Sequence, residues 1–413
     1  MTRLFIAITY VFFTIYGFYA IKSSFKSKWL RGAYFLLTLG VFCYFLFEVL
    51  IDLGSVRYDS DKLLVFAVFF AFYILVLILG GIMILEDVVR LLRLKYGRLK
   101  ERVFKRSTKE YWPERRAVVG RLALFLGFLP FGALLYGIFE GRYNFKVITY
   151  ELEFEDLPLE FDGYTITHFS DVHAGGLDNP SKVKYAVDLI NNQKSDTIIF
   201  TGDFVDRTSD ELEPWQDVFS GLTAPDGKYS VLGNHDYGDY FSKWKSEEEQ
   251  EDDLQKLKQL QMDMGFTVLC DINHSIARGD KKLMLIGSEN WSASDKLMQK
   301  GNFENALNGV DSEDFKIVLT HDPSHWEEKL INHKYHFHLT LSGHTHGYQF
   351  GLEIPDVIKW TPVKWRYKYW AGMYKEKEQF INVNRGFGYT GFPGRIGIWP
   401  EISVITLRKK HSI

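Results

Sequence analysis

Four long apolar runs occupy much of the first 140 residues. Residues 4–21, 63–85 and 122–139 contain no charged side chain, and residues 32–51 contain only Glu48. A helix needs roughly 17–25 apolar residues to cross a bilayer. All four runs are long enough, so the pattern predicts four transmembrane helices, although a helix buried in a soluble core has the same composition.

Beyond residue 145 the pattern changes to short apolar stretches that alternate with polar turns. Helices are predicted at residues 181–192, with Ser181 as N-cap, and at about 246–264. Alternating strands and helices indicate an α/β domain over residues 146–413, after a helical region over residues 1–145, and sites in such domains lie at the carboxyl ends of strands. Strands are predicted at residues 146–154, 164–170, 196–202, 228–233, 282–290, 315–321, 337–346, 379–384 and 402–409.

Charge divides the chain at the same place. Residues 1–139 carry 19 Lys and Arg against 9 Asp and Glu, whereas the remaining residues carry 30 against 43. The basic excess lies in two predicted loops, residues 22–31 and 86–121, and short basic loops stay in the cytoplasm. We therefore predict a multi-pass protein of the plasma (inner) membrane, with everything after residue 140 on the extracytoplasmic side. The basic stretch 90–106 is expected to contact anionic lipid headgroups rather than nucleic acid.

Side chains that bind metals recur directly after the predicted strands. Any one cluster is also typical of a turn or a helix cap, but five in succession favour a metal site. The chain has only two cysteines, so the donors are nitrogen and oxygen, which suits Mn, Fe or Zn. Seven of the ten residues in these clusters would be donors, which exceeds one four-coordinate site and fits two divalent ions that share a carboxylate. The clusters are Asp171 and His173; Asp203 and Asp206; Asn234, His235 and Asp236; His321; and His344 and His346.

The order of these motifs, DVH, GDFVD, GNHD, THDP and SGHTHG within residues 163–348, resembles the calcineurin-like metallophosphoesterases. The C-terminal stretch 384–402 resembles a membrane-associated bacterial branch of that family, which has an N-terminal multi-span helical region. The resemblance implies a four-layer α/β/β/α sandwich built on two mixed sheets, with two metals at the strand ends. By position, Asp171, His173, Asp203 and His346 would hold the first metal. Asp203 would bridge to the second, which Asn234, His321 and His344 would complete.

The same resemblance implies the chemistry. A metal-bridging hydroxide would attack phosphorus, His235 would assist the leaving group, Asp206 would orient His235, and Asp236 would give similar support. We expect a membrane-anchored hydrolase of a phosphoester or pyrophosphate, with a lipid or cell-envelope substrate and membrane lipid as a partner. Two alternatives stay open: a cytoplasmic-facing nucleotide phosphodiesterase, and a metal-binding scaffold without turnover. Substrate-binding residues and oligomeric state are left open.

Two segments near the C-terminus carry further expectations. Residues 384–402 resemble the closing segment of that branch and are expected to pack near the site, where Arg385 or Arg395 either holds a substrate phosphate or lies on the surface. Residues 360–370 alternate aromatic and basic side chains, which is typical of a membrane interface but also of a cap on the core.

Overall fold

The computed structural model describes residues 2–51, 60–104, 113–293, 299–354 and 357–410. Among these residues, those up to Ile138, apart from Ser60, form one compact unit, and those from Phe139 onward form a second.

The first unit consists of four apolar helices. They are α1 (Thr2–Ser24), α2 (Lys28–Ile51), α3 (Ser60–Phe104) and α4 (Pro113–Phe139), and each contains a stretch long and apolar enough to cross a membrane. Large apolar side chains such as Leu36 and Phe125 point outward with 75% and 65% of their surface exposed. A soluble bundle would place polar residues there, so this pattern fits helices that face lipid. The predicted four-helix region is confirmed.

The predicted loop over residues 86–121 is wrong. Residues 86–104 continue α3, and α4 already begins at Pro113, while residues 105–112 lie outside the described residues. At about 1.5 Å per residue, α3 is roughly 68 Å long, more than twice the hydrocarbon thickness of a bilayer. Lys, Arg and Leu are strong helix formers, so the charges end the apolar span without ending the helix.

The second unit contains two six-stranded sheets and a two-stranded hairpin. The first sheet has the order β1-β14-β2-β3-β4-β5, and the second has the order β12-β13-β9-β8-β7-β6. Strands β2, β3 and β4 are parallel neighbours in the first sheet, as are β8 and β9 in the second. The strands are β1 (Lys146–Phe154), β2 (Thr165–Phe169), β3 (Thr197–Thr201), β4 (Lys228–Val231), β5 (Phe266–Val268), β6 (Asn273–Arg278), β7 (Lys281–Gly287), β8 (Phe315–Leu319), β9 (Leu339–Ser342), β10 (Leu352–Ile354), β11 (Ile358–Trp360), β12 (Gly372–Glu376), β13 (Gln379–Val383) and β14 (Glu401–Lys409).

Helices cover the outer faces of both sheets. Apolar side chains from the two inner faces, such as Ile199 and Leu341, form the core between the sheets. Helices α5 (Pro180–Asn191), α6 (Gln216–Ser220) and α7 (Glu247–Asp263) pack on the first sheet, and α8 (Ser324–Glu328) with adjacent 3-10 turns packs on the second. The predicted four-layer α/β/β/α architecture is confirmed.

All nine predicted strands are present: β1 has the predicted bounds, β14 begins one residue earlier than predicted, and the other seven are shorter. The structure adds β5, β6, β10, β11 and β12. Ser181 is not the N-cap of α5. Asn179 caps this helix, because its side chain accepts a hydrogen bond from the backbone N–H of Lys182, and Pro180 occupies the first helical position. A proline there lacks only an N–H that the helix would leave unpaired.

Candidate metal centre

The predicted ligands lie on loops that follow five strands, at one end of the two packed sheets. Asp171, His173, Asp203 and Asn234 follow β2, β3 and β4, and the histidines follow β8 and β9. The loops of the two sheets are joined at this end, because the backbone N–H of His344 donates to both carboxylate oxygens of Asp171 at 3.0 Å. Residues separated by more than 170 positions thus share one site.

Five of the predicted ligands have left-handed backbone conformations. Their φ angles are 54° for Asp171, 47° for His173, 63° for Asp203, 72° for His344 and 49° for His346. Residues other than glycine rarely adopt positive φ, and such strain concentrates at functional sites, where the surrounding structure holds it.

Two glycines allow the loops to approach this closely. A Cβ atom at Gly233 would lie against the carboxylate of Asp203, and one at Gly343 would lie against Ser170 and Asp171. Only glycine fits at such contacts. Gly233 of the GNHD motif and Gly343 of the SGHTHG motif are therefore needed for packing, each directly before a predicted ligand.

One group of donors surrounds His346. Its Nε2 atom lies 3.0 Å from Nε2 of His173 and 3.2 Å from Oδ1 of Asp171. Nε2 of His173 is 3.7 Å from Oδ2 of Asp203. Asp171, His173 and His346 are thus close enough to hold one ion together.

A second group of donors surrounds His321. Its Nδ1–H donates to the carbonyl oxygen of Thr201 at 2.7 Å, which directs Nε2 toward Oδ2 of Asp203 at 3.1 Å and toward Nδ1 of His344 at 3.2 Å. Asp203, His321 and His344 also satisfy the distances of a shared ion. Asn234 lines the same pocket as Asp203 and His344, and its Oδ1 is buried without a hydrogen-bond partner among the described residues. Its amide nitrogen donates to the hydroxyl of Tyr240 at 3.0 Å, so the oxygen is left for a ligand.

These donors have the chemistry to bind divalent metal ions. Buried polar atoms are normally hydrogen-bonded, yet here ring nitrogens, carboxylates and an orphaned amide oxygen converge. Burial alone would lower the pKa of His321, but the carboxylates of Asp203 and Asp171 outweigh it and raise the pKa to about 10. At His173, burial also lowers the pKa, but three nearby carboxylates outweigh it and raise the pKa to about 9. These carboxylates belong to Asp206, Asp203 and Asp171. Without a cation, the rings of His173 and His321 thus stay protonated at neutral pH, and a metal would have to displace these protons.

His235 sits beside this centre and is anchored through its backbone and one ring nitrogen. Its N–H donates to Oδ1 of Asp203 at 2.9 Å, and its Nδ1–H donates to the carbonyl oxygen of Asp206 at 2.8 Å. The ring stacks on Tyr240 at a centroid distance of 4.3 Å and lines the pocket. Nδ1 is therefore committed, and Nε2 is the atom that remains for a substrate.

The carboxylate of Asp206 contacts His173 rather than His235. Oδ1 of Asp206 lies 3.1 Å from Nδ1 of His173 and accepts a hydrogen bond from Thr390 at 3.2 Å. The contact between Asp206 and His235 expected from the resemblance runs through the main chain, and the side chain orients a predicted metal ligand instead.

Asp236 supports the loops rather than His235. Its carboxylate accepts hydrogen bonds from the backbone N–H groups of Asp203 and Phe204, each at 2.8 Å, and of Gly233 at 2.9 Å. Burial and the nearby charge of Asp203 raise the pKa of Asp236 to about 7. This residue ties the loop after β3 to the loop after β4.

Two supporting residues were missed at the level of sequence. The hydroxyl of Tyr367 lies 2.8 Å from Nε2 of His344, and Oδ2 of Asp322 lies 3.4 Å from the same nitrogen. The position of Asp322, directly after His321 in the THDP motif, was an available signal. Tyr367 comes from a distant segment with no comparable signature.

The tail segment packs against the site, as expected. The backbone N–H groups of Phe387 and Gly388 donate to the carbonyl oxygens of Ser170 and Asp171 at 2.7 and 2.8 Å. Neither arginine of this segment matches its predicted alternatives. Arg385 is buried in ion pairs with Glu353 and Glu401, and Arg395 is fully buried with Nε donating to the carbonyl oxygen of Gly388 at 2.8 Å.

The aromatic segment 360–370 has both buried and exposed side chains. Val363, Tyr367 and Trp370 are buried in a small apolar cluster, whereas Trp365 has 75% of its surface exposed. The segment is thus partly a cap on the core and partly an exposed surface.

An open pocket of about 390 Å³ leads to the donors. Arg366 contributes an exposed cation to its wall, a position that sequence reasoning did not assign, and neither Arg385 nor Arg395 reaches it. The lining residues are His173, Asp203, Asn234, His235, Tyr240, His344, Thr345, His346, Tyr348, Gln349, Arg366, Tyr367, Thr390 and Phe392.

Comparison with known proteins identifies the family. Residues 164–348 match the calcineurin-like phosphoesterase family, and residues 1–142 match a family described as probable calcineurin-like phosphoesterase, transmembrane domain. The chain is 33% identical over 258 residues to YkuE of Bacillus subtilis, an uncharacterized metallophosphoesterase, and the match covers 62% of this chain and 82% of YkuE. The chain belongs to the calcineurin-like metallophosphoesterase family.

More distant similarities extend beyond bacteria. This metallophosphoesterase is 28% identical over 283 residues to a transmembrane protein with metallophosphoesterase domain from Danio rerio, covering 67% of this chain and 60% of that protein. Among solved structures, TT1561 of Thermus thermophilus matches at 14% identity with a TM-score of 0.34, covering 55% of this chain and 90% of that one.

Proposed function

We propose that this metallophosphoesterase is a membrane-anchored, two-metal enzyme that hydrolyses a phosphoester or pyrophosphate bond in a lipid or cell-envelope substrate. The observation that carries the proposal is the sharing of Asp203 between the two donor groups. Oδ2 of Asp203 lies 3.7 Å from the nearest nitrogen of His173 and 3.1 Å from that of His321. One carboxylate placed between two groups of histidines is the arrangement that a pair of ions needs.

The proposed ligands divide as the resemblance implies. Asp171, His173 and His346 would hold one ion and His321, His344 and Asn234 the other, with Asp203 common to both. When bound, two divalent ions lower the pKa of water and stabilise charge on the attacking and leaving oxygens of a displacement at phosphorus. Manganese, iron and zinc all suit these nitrogen and oxygen donors.

Two residues of the pocket would act on the substrate itself. His235 presents Nε2 while Nδ1 is held by the carbonyl oxygen of Asp206, so a protonated ring can donate to the leaving oxygen. Arg366 lines the same pocket with an exposed guanidinium, which suits a phosphate or another anionic group of the substrate.

We place the catalytic unit on the extracytoplasmic side of the plasma membrane. The support is the basic excess of residues 22–31 and of the second half of α3, since such segments stay in the cytoplasm. An extracytoplasmic site favours envelope or lipid phosphoesters over cytoplasmic nucleotides. A C-terminal reporter that is active only outside the cytoplasm tests this orientation.

The catalytic proposal is tested with Asp171→Ala and His346→Ala in the full-length chain purified in detergent. Metal content is measured by mass spectrometry, and hydrolysis is followed with p-nitrophenyl phosphate and bis(p-nitrophenyl) phosphate. We expect each variant to lose activity and bound metal. Asp280→Ala and His274→Ala, which change exposed residues outside the site, serve as controls and should retain both. Full activity in either site variant refutes the proposal.

A further inference from the structure

The hairpin that follows the SGHTHG motif has an apolar face that is exposed to solvent. Strands β10 and β11 form a separate two-stranded sheet in which Leu352 is opposite Trp360, Glu353 opposite Lys359, and Ile354 opposite Ile358. Side chains alternate between the faces of a strand. One face of the hairpin therefore carries only apolar side chains, and the other carries the two charges.

The charged ends of the side chains on the other face contact the protein, although Lys359 is itself exposed. Glu353 pairs with the buried Arg385 at 2.6 Å, and Nζ of Lys359 donates to the carbonyl oxygen of Ala371 at 2.5 Å. The apolar face points to solvent: Leu352 and Ile354 are each 47% exposed and Ile358 is 40% exposed. A hairpin on a water-exposed surface normally has the opposite polarity.

Neighbouring side chains extend this apolar face into a continuous surface. Val357 at the turn is 77% exposed, and Trp365 is 75% exposed. The ring of the half-buried Trp360 lies 6.4 Å from that of Phe350 and 6.3 Å from that of Trp365. We call this group of apolar residues the hairpin patch: Phe350, Leu352, Ile354, Val357, Ile358, Trp360 and Trp365.

The hairpin patch adjoins the pocket of the metal centre. Tyr348 precedes it and Arg366 follows it in the chain, and both side chains line the pocket. Whatever covers the patch is therefore brought to the mouth of the pocket.

A lipid bilayer is the occupant that fits this surface. The chain carries four helices long and apolar enough to cross a membrane, so its second unit operates beside lipid. Tryptophan is enriched at membrane interfaces, and the exposed Lys364 and Arg366 flank the patch with positive charge that attracts anionic headgroups. The acidic Glu353 is neutralised by Arg385 on the opposite face.

We propose that the hairpin patch inserts into the interfacial region of an anionic bilayer and sets the mouth of the metal pocket at the headgroup level. The docking itself needs no turnover. Its consequence, that the substrate is a phosphoester carried by an amphiphile rather than by a freely soluble molecule, rests on the proposed phosphoesterase activity.

The test places an environment-sensitive fluorophore at the hairpin turn. Val357→Cys is made in a Cys43→Ser, Cys270→Ser background of the full-length chain, labelled, and reconstituted in nanodiscs of phosphatidylglycerol and phosphatidylcholine. Lipids spin-labelled near the headgroup should quench the label at position 357. Leu159→Cys, at a turn position that is 67% exposed, is the matched control and should remain unquenched.

A variant of the apolar face separates docking from catalysis. Leu352→Asn, Ile354→Asn and Ile358→Asn together should abolish quenching at position 357 while metal content and hydrolysis of p-nitrophenyl phosphate stay at the level of the parent. An unquenched label at position 357 in the parent overturns the proposal. A fluorescence change at position 357 that rises with protein concentration and does not depend on spin-labelled lipid also overturns the proposal. Such a change would mean that another protein molecule covers the patch. Quenching in a protein without hydrolytic activity would uphold the docking and contradict only the proposed function.

Discussion

The hydroxyl of Tyr367 lies 2.8 Å from Nε2 of His344, on the side of the ring opposite the donor Nδ1. The same hydroxyl is 3.4 Å from the buried carboxylate of Asp322. A histidine ligand generally needs a partner for its second nitrogen, which sets the tautomer and the orientation of the ring. Tyr367 and Asp322 supply that partner from two different loops.

Tyr367→Phe should therefore weaken the binding of one of the two metals by about 10–100-fold, as outer-shell substitutions commonly do. Titration of the metal-free full-length chain with Mn²⁺ or Zn²⁺ against a competing chelator should resolve a weakened step and a normal one. Tyr369→Phe is the matched control, because it removes a tyrosine hydroxyl that contacts Glu376 instead. Equal affinities in the parent and in Tyr367→Phe would show that His344 needs no such support.

Asp206→Asn should affect the other metal. Its carboxylate lies 3.1 Å from Nδ1 of His173, whereas only its main-chain carbonyl contacts His235. We expect weaker metal binding, again by about 10–100-fold, and full recovery of turnover when metal is supplied in excess. Loss of turnover that excess metal does not restore would mean that the side chain acts through His235 after all.

Metal binding should release protons. Without a cation, nearby carboxylates hold the pKa of His173 at about 9 and that of His321 at about 10, so both rings are protonated at pH 7. A metal needs the free nitrogen of each ring, so affinity should rise with pH until it levels off above about pH 10. Calorimetric titration at pH 7 in buffers of different ionisation enthalpy should detect up to about two protons released per metal pair. No proton release would contradict these protonation states.

The same shifts predict an opposite pH dependence for the metal-free chain. The pKa values of His173 and His321 in the folded, metal-free chain are raised above the unfolded value of about 6.5. Protonation of these two rings therefore stabilises the folded state fully below pH 6.5, and this contribution is lost as the pH rises through 9 to 10. Thermal unfolding of the metal-free protein between pH 6.5 and 10 should show this decline, and metal-loaded protein should not.

Substitutions at the start of α5 test whether Asn179, rather than the predicted Ser181, caps this helix. Asn179→Ala should destabilise the first turn by about 1 kcal/mol, because it removes the acceptor for the N–H of Lys182. Ser181→Ala should change it by less than about 0.5 kcal/mol. Hydrogen exchange of peptides covering residues 180–186 in the full-length chain measures both, and equal effects would restore Ser181 as the cap.

Local sequence patterns were sufficient to predict most of the secondary structure and the candidate metal ligands. Long apolar runs identified the four helices, alternating apolar stretches identified nine strands, and motif order pointed to the ligands, because each of these features depends on neighbours in the chain. The short strands β5, β10 and β11 were missed, since three residues carry too little pattern. The end of α3 was misplaced because charge marks where an apolar span ends and not where a helix ends.

The sequence by itself determined which residues have metal-binding chemistry and that they follow strands. Only the tertiary structure decided which of them face one another: that Asp206 turns its carboxylate to His173 and that Tyr367 supports His344. It also decided that Arg385 and Arg395 are buried and do not line the pocket. It also decided that the apolar face of the β10–β11 hairpin points outward, because the buried Arg385 draws Glu353 inward. The physical reason is common to all of these. They are contacts between segments that are not neighbours in the chain, so no local pattern specifies their geometry.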